Sequence, residues 1–65
     1  MHGTIKRIVR DKQFGFIMGS DGGEYFFHIS ALQNITFAEL QEGMQVTFDD
    51  EETSKGLRAE NIFVD

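Results

Sequence analysis

The sequence KQFGFIMGSDGGEYFFHI, residues 12–29, contains two short apolar runs separated by a glycine-rich segment. The segment Gly19–Gly23 includes Asp-Gly-Gly, which is typical of the tight loop of a β-hairpin. The runs on either side, Phe14–Met18 and Glu24–Ile29, are rich in aromatic and β-branched residues and have the length of strands. The stretch therefore predicts two antiparallel strands in which alternate side chains share one face.

Outside this hairpin the same kind of pattern predicts three further strands, at Gly3–Arg10, Met44–Glu52 and Leu57–Val64. A short helical turn is expected at Ser30–Gln33, with Ser30 as its cap. Five short strands with glycine-rich turns favour a small all-β barrel, since closure leaves no exposed sheet edge. We therefore expect a single domain over residues 1–65.

The length and composition exclude several classes of function. A domain of about 60 residues buries only roughly 60% of the surface that its unfolded chain exposes, so a deep catalytic cavity is hard to build and the protein is not expected to be an enzyme. Cysteine is absent, which excludes disulfides and thiolate metal sites. No apolar stretch suits a signal peptide or a membrane span, which predicts a cytoplasmic protein with no membrane partner.

The net charge of −5 argues at first against binding of a polyanion. The charges are unevenly distributed, however: residues 1–33 carry a net charge of +1 and residues 34–65 carry −6. The acidic run Asp49–Glu52 lacks the alternating spacing of a calcium loop, so we interpret it as a solvated loop. An acidic back face can repel nucleic acid without blocking a neutral or basic front face.

Aromatic side chains occupy alternate positions on both strands of the hairpin, with Phe14 and Phe16 on one strand and Phe26 and His28 on the other. If these rings face solvent, they can stack on the bases of a single strand while nearby cations follow the phosphates. Gly15 leaves room for the close approach of a base or of backbone. The pattern thus indicates a surface for single-stranded nucleic acid.

Core packing is the alternative interpretation of these rings, because phenylalanine-rich alternating strands commonly form the interior of β-proteins. In that arrangement Ile17, Tyr25 and Phe27 would face water instead. Both faces of the third strand are apolar, so either arrangement leaves an apolar cluster outside, and such a cluster usually marks a binding site. The choice of buried face therefore decides between the two interpretations.

The segments Lys12–Ile17 and Tyr25–Ile29 resemble the two ribonucleoprotein-like motifs of bacterial cold-shock proteins, which follow the patterns K-G-F-G-F-I and V-F-V-H-F. The resemblance extends from Gly3 to Ile62 and so covers nearly the whole chain. It implies a five-stranded antiparallel Greek-key β-barrel with the OB fold, which binds single-stranded RNA or DNA and acts as an RNA chaperone. A monomer without cofactor, metal or small-molecule substrate is expected.

The resemblance also implies which residues contact the ligand. The stacking positions of the family are matched by Phe14, Phe16, Phe26, His28 and, in the long loop, Phe37. Contacts to the nucleic-acid backbone or to base edges are implied for Lys6, Lys12, Glu24, Lys55 and Arg58.

The sequence departs from the cold-shock pattern at three positions that commonly carry rings, where it has Arg7, Ile8 and Ile29. Gln13 also replaces a glycine, and Leu57 stands where many relatives have proline. Because stacking contributes about 1–3 kcal/mol per base, we expect weaker binding of single strands than in a typical relative. Arg7 can still stack its guanidinium plane on a base, and the isoleucines keep apolar contact. A sub-nanomolar Kd for oligothymidine at low salt would contradict this expectation.

Two other functions stay open at the level of sequence. The missing rings and the acidic second half fit a protein-interaction module on the same barrel, with little affinity for nucleic acid. An S1-like ribosomal RNA-binding module shares the barrel and its chemistry, although the cold-shock motifs match more closely. A zinc site or a catalytic role is not expected at His28, because no second metal ligand, nucleophile or orienting carboxylate lies beside it in the sequence.

Overall fold

A computed structural model describes all 65 residues, Met1–Asp65, as five strands closed into a barrel. The strands are β1 (His2–Val9), β2 (Phe14–Gly19), β3 (Glu24–His28), β4 (Gln45–Thr53) and β5 (Gly56–Val64). Short 3₁₀ turns at Arg10–Lys12 and Ile29–Ala31 follow β1 and β3. The all-β class, the five strands and the glycine-rich hairpin are confirmed, and each strand begins and ends within one residue of its predicted bounds.

The strand order around the barrel is β1-β2-β3-β5-β4, and β4 closes the barrel against β1. Four of the five pairings are antiparallel. The pairing of β3 with β5 is parallel instead, and its ladder is the single pair Phe26–Arg58. Strand direction cannot alternate throughout a closed ring with an odd number of strands, so one parallel pairing is unavoidable.

Side chains at alternate strand positions fill the barrel. From the hairpin, Ile17, Tyr25 and Phe27 point inward and are at most 3% exposed. The complete core consists of Ile5, Ile17, Tyr25, Phe27, Ala31, Leu40, Val46, Phe48, Ala59 and Ile62. The other parity of the hairpin faces outward, which excludes the core interpretation of the predicted ring surface.

Gly15 is buried, and the close approach that it allows is internal. A Cβ at this position would lie 2.7 Å from the carbonyl oxygen of Arg7 and 2.7 Å from the Phe27 ring. Gly15 therefore makes room for neighbouring backbone and for a core ring, and any larger residue would push β1 away or displace Phe27.

Gln13 ends the first 3₁₀ turn in the left-handed region, with φ 60° and ψ 41°. The left-handed conformation costs a residue other than glycine about 1–2 kcal/mol, because its Cβ comes close to the following carbonyl oxygen. We expect Gln13→Gly to raise the free energy of unfolding by about 0.5–1 kcal/mol, since the greater freedom of glycine in the unfolded chain offsets part of the relief. Urea unfolding measures the change, with Gln13→Ala as a control that should show no gain. A less stable Gln13→Gly variant would contradict this explanation.

Asp21 connects the hairpin loop to strand β3 through hydrogen bonds. Its carboxylate accepts hydrogen bonds from the Tyr25 hydroxyl at 2.6 Å and from the Gly23 N–H at 2.9 Å. These bonds, that of Tyr25 first, lower the pKa of Asp21 below its ordinary value of 3.8. The bond to Asp21, together with burial, raises the pKa of Tyr25 to about 12.

Both pKa shifts predict how stability changes with pH. The pKa of Asp21 is lowered by folding, so its contribution is complete above pH 3.8 and is lost as the pH falls through the folded value. The pKa of Tyr25 is raised by folding, so its contribution is complete below pH 10 and is lost between pH 10 and about 12. The difference in unfolding free energy between the wild type and Tyr25→Phe, measured in urea, is therefore expected to shrink at both ends. A difference that is the same below pH 3.8, near neutral pH and above pH 10 would contradict the assignment of the two pKa shifts to this bond.

The acidic run Asp49–Glu52 lies within β4, so the prediction of a strand is right and that of a loop is wrong. All four side chains are exposed. Their backbone pairs with β5, where Asp50 faces Ala59 and Glu51 faces Arg58. Charged side chains can stay in water on a strand whose backbone groups are paired, and for this reason the acidic composition gave a misleading signal.

Candidate nucleic-acid interface

Three phenylalanine rings form a cluster on the outer face of the β2–β3 hairpin. The ring centroids of Phe14 and Phe26 are 5.4 Å apart, those of Phe14 and Phe16 5.8 Å, and those of Phe16 and Phe26 6.1 Å. Phe16 pairs with Phe26 across the strands, and Phe14 pairs with the exposed His28. The three rings are half-buried, so each keeps part of its surface open to solvent. The structure thus brings the four predicted stacking residues of the hairpin together, and we call them the aromatic platform.

His28 ends β3 and is held in place by the turn that follows. Its Nδ1 accepts a hydrogen bond from the backbone N–H of Ser30 at 3.2 Å, which makes His28 the N-cap of this turn. The prediction of Ser30 as the cap is wrong, because Ser30 lies inside the turn and its N–H is already satisfied by the imidazole. An accepting Nδ1 leaves the proton of the neutral ring on Nε2, which remains a donor for a base or a phosphate.

An open groove of about 380 Å³ lies beside the platform. Phe16 and Phe26 line one part of it, and the end of β4, the β4–β5 loop and the start of β5 line the rest, including Lys55 in the loop and Arg58 in β5. The structure therefore places these two cations next to the rings. A ring surface beside cations suits a base together with its phosphate.

Two of the predicted cations form ion pairs with carboxylates. Lys6 Nζ lies 2.6 Å from Glu24 Oε2, and Arg58 Nε lies 2.7 Å from Glu60 Oε1. Both pairs are partly exposed, and such pairs contribute only about 0–1 kcal/mol, so a phosphate can replace the carboxylate with little loss. The predicted cations that form no ion pair are Arg7, Lys12 and Lys55.

A β-bulge in β1 turns two consecutive side chains outward. The register with β2 shifts between Ile5 and Arg7, so Ile5 pairs with Ile17 in the core while Arg7 pairs with Phe16. Lys6 and Arg7 are both exposed as a result. Arg7 therefore stands beside the platform, where its guanidinium plane can stack on a base.

The remaining predicted contacts, Ile8, Ile29 and Phe37, are half-buried. Ile8 and Phe37 pack against the core. Phe37 belongs to the connection between β3 and β4 and makes no ring contact with the platform. Its ring lies under the guanidinium of Arg10 instead, 5.3 Å from centroid to Cζ. Arg10 was missed at the level of sequence, since no local pattern points to a partner 27 residues away.

The family model of the "Cold-shock" DNA-binding domain matches residues 1–64. The chain belongs to the cold-shock domain family. Cold shock protein 1 of Lactiplantibacillus plantarum is 46% identical over 61 residues, which cover 94% of this chain and 92% of that protein. Cold shock protein CspC of Bacillus subtilis is 42% identical over 60 residues, with 92% and 91% covered. The major cold shock protein of Streptococcus pyogenes serotype M6 is 45% identical over 60 residues, with 92% and 90% covered. The resemblance drawn from the two motifs is confirmed.

The buried residues of the cold-shock barrel include no polar or charged side chain. No buried side-chain nitrogen or oxygen lacks a hydrogen-bond partner. No three His, Cys, Asp or Glu side chains are grouped so as to hold a metal ion. The helical turns are too short for any of them to cross a bilayer.

Proposed function

We propose that this cold-shock domain binds single-stranded RNA or DNA without catalysis and acts as an RNA chaperone. The observation that carries the proposal is the outward position of three half-buried phenylalanine rings and an exposed histidine on two adjacent strands. Flat apolar rings open to water suit the faces of unpaired bases, and each base stacked on a ring contributes about 1–3 kcal/mol.

The platform accounts for chaperone activity by mass action. Bases stack on Phe14, Phe16 and Phe26, and Nε2 of His28 donates a hydrogen bond to the strand. A base held on these rings cannot pair within an RNA hairpin, so binding lowers the hairpin population and needs no ATP. Duplexes are disfavoured as ligands, because the faces of their bases are covered by neighbouring bases. One chain supplies the whole surface, so neither a second subunit nor a cofactor is needed.

The affinity is expected to depend only modestly on salt. Of the predicted cations only Arg7, Lys12 and Lys55 form no ion pair. Lys6 and Arg58 must instead exchange a carboxylate for a phosphate when the strand binds, so few phosphates are neutralised. The slope of log K against log salt follows the number of phosphates that are neutralised. The stacking rings thus supply most of the binding energy, and the cations mainly fix the path of the strand.

Chemical-shift mapping with a short oligothymidine tests the proposal. The largest shifts are expected at Phe14, Phe16, Phe26 and His28, and the same strand annealed to its complement should cause much smaller ones. An absence of shifts at about 1 mM oligothymidine, above the ~10⁻⁴ M range of weak non-specific binding, would overturn it.

A protein-interaction module is the second candidate, and the acidic strand β4 favours it. The side chains of Asp49–Glu52 are exposed, and Phe63, 46% exposed, lies on the neighbouring strand β5. Under this function a basic peptide would shift the resonances of β4 and β5, while oligothymidine would leave the platform unchanged. Shifts confined to the platform in the same pair of titrations would exclude it.

A further inference from the structure

Arg10 joins the end of β1 to the long connection between β3 and β4. Its two terminal guanidinium nitrogens donate separately to the carbonyl oxygens of Phe37 and Leu40, each at 2.5 Å. The same group lies over the Phe37 ring, with Cζ 5.3 Å from the ring centroid. A planar fork that serves two carbonyls and a ring face is available to arginine and not to lysine.

The segment that Arg10 holds has little regular structure of its own. Between the Ile29–Ala31 turn and β4 the chain forms only bends, turns and one isolated bridge. Leu40 anchors the connection in the core with no exposed surface, whereas Phe37, three residues earlier, is half-buried. The Arg10 contacts therefore fix the part of the connection that carries an aromatic ring at the surface.

The contacts of Arg10 with Phe37 and Leu40, which we call the Arg10 tether, lie near one end of the aromatic platform. Val9, immediately before Arg10, pairs with Phe14, and Phe14 pairs with His28. The groove lies at the other ring pair, Phe16 and Phe26. A strand that leaves the platform at its Phe14 end therefore comes first to the segment held by Arg10.

We infer that Arg10 is a positioning residue that orders the connection around Phe37 and so holds this ring ready for the stacking role that the cold-shock resemblance implies for it. The inference rests on the proposed function. A ring that is held before binding spares the association the loss of entropy that ordering a loose loop requires. The two carbonyls take two of the five guanidinium N–H groups of Arg10, and the inference assigns it no phosphate contact, so the salt slope of binding tests whether the other N–H groups reach a phosphate.

Two substitutions separate the fork of Arg10 from its charge. Arg10→Lys keeps the charge and loses the fork, and Arg10→Gln loses both. Each is expected to raise the Kd by about fivefold to tenfold for an oligothymidine that is long enough to reach Phe37, which is part of the energy of one stacked base. The slope of log K against log salt is expected to stay unchanged. In a Phe37→Ala background neither substitution should weaken binding further. Wild-type affinity in Arg10→Lys, or a shallower salt slope in Arg10→Gln, would overturn the inference, because Arg10 would then act as a phosphate-binding charge.

A second measurement needs no ligand. Backbone ¹⁵N relaxation of the free protein is expected to show loss of order at residues 36–40 in Arg10→Lys, with the strands unchanged. Unchanged order at these amides overturns the tether, whatever the affinity. Loss of order in a protein that binds no oligothymidine even as the wild type would overturn the proposed function, and with it the stacking role of Phe37, while supporting the tether itself.

Discussion

Phe26→Ala is expected to weaken binding of oligothymidine by about 1–3 kcal/mol, or about fivefold to 150-fold in Kd. The Phe26 ring contacts both Phe14 and Phe16 and lines the groove, so its removal opens the middle of the platform. Stability is expected to fall by about 1–3 kcal/mol, because the half-buried ring loses its contacts with two neighbouring rings, each of about 0.5–1.5 kcal/mol. The chain has no tryptophan, so anisotropy of a fluorescently labelled oligothymidine is the suitable assay.

Phe63→Ala is the matched control for this experiment. Phe63 is also an outward phenylalanine, 46% exposed, but it pairs with Thr47 on β4 and touches none of the platform rings. Its removal is expected to leave Kd unchanged. Equal losses in Phe63→Ala and Phe26→Ala would mean that any exposed ring binds the strand, and the platform would lose its special role.

Phe27→Ala, one residue along β3, is expected to cause a large loss of stability, in contrast to the loss of binding in Phe26→Ala. Phe27 is completely buried, and truncation of a core phenylalanine costs about 3–5 kcal/mol through lost burial and the cavity left behind. Small domains are stable by only about 0.05–0.15 kcal/mol per residue, so most of the stability of this chain would be lost. Circular dichroism and calorimetry should show a largely unfolded protein without a sharp thermal transition. A cooperative transition close to that of Phe26→Ala would show that the core closes around the cavity.

The sequence predicts which hairpin side chains lie together but not which set is buried. Alternation alone groups Phe14 and Phe16 with Phe26 and His28, and the structure keeps that grouping. Both faces of β3 carry apolar side chains, so the local pattern does not determine which face is buried. The face is decided by distant residues such as Val46 and Phe48, which fill the barrel from β4. The family resemblance supplied that information before the structure did.

Other features of the site depend on contacts that no local pattern contains. The outward turn of Arg7 needs a bulge whose position is set by the register with β2. The pairing of Lys6 with Glu24 joins residues on two non-adjacent strands. Arg10 finds its partners in a connection without regular structure. By contrast, Gln13 was identified from the missing glycine, and its φ of 60° gives the physical reason.

The parallel pairing of β3 with β5 is the narrowest seam of the barrel, since one residue pair forms its ladder. Both members of that pair, Phe26 and Arg58, also line the groove. A nucleotide that contacts both residues would hold β3 and β5 together from outside. Binding of nucleic acid and closure of the barrel at this pairing would then stabilise each other. Any ligand that binds only the folded state stabilises it by about 2.7 kcal/mol at a hundred times Kd, so nucleic acid bound across this pairing is expected to add to the stability of the closed barrel.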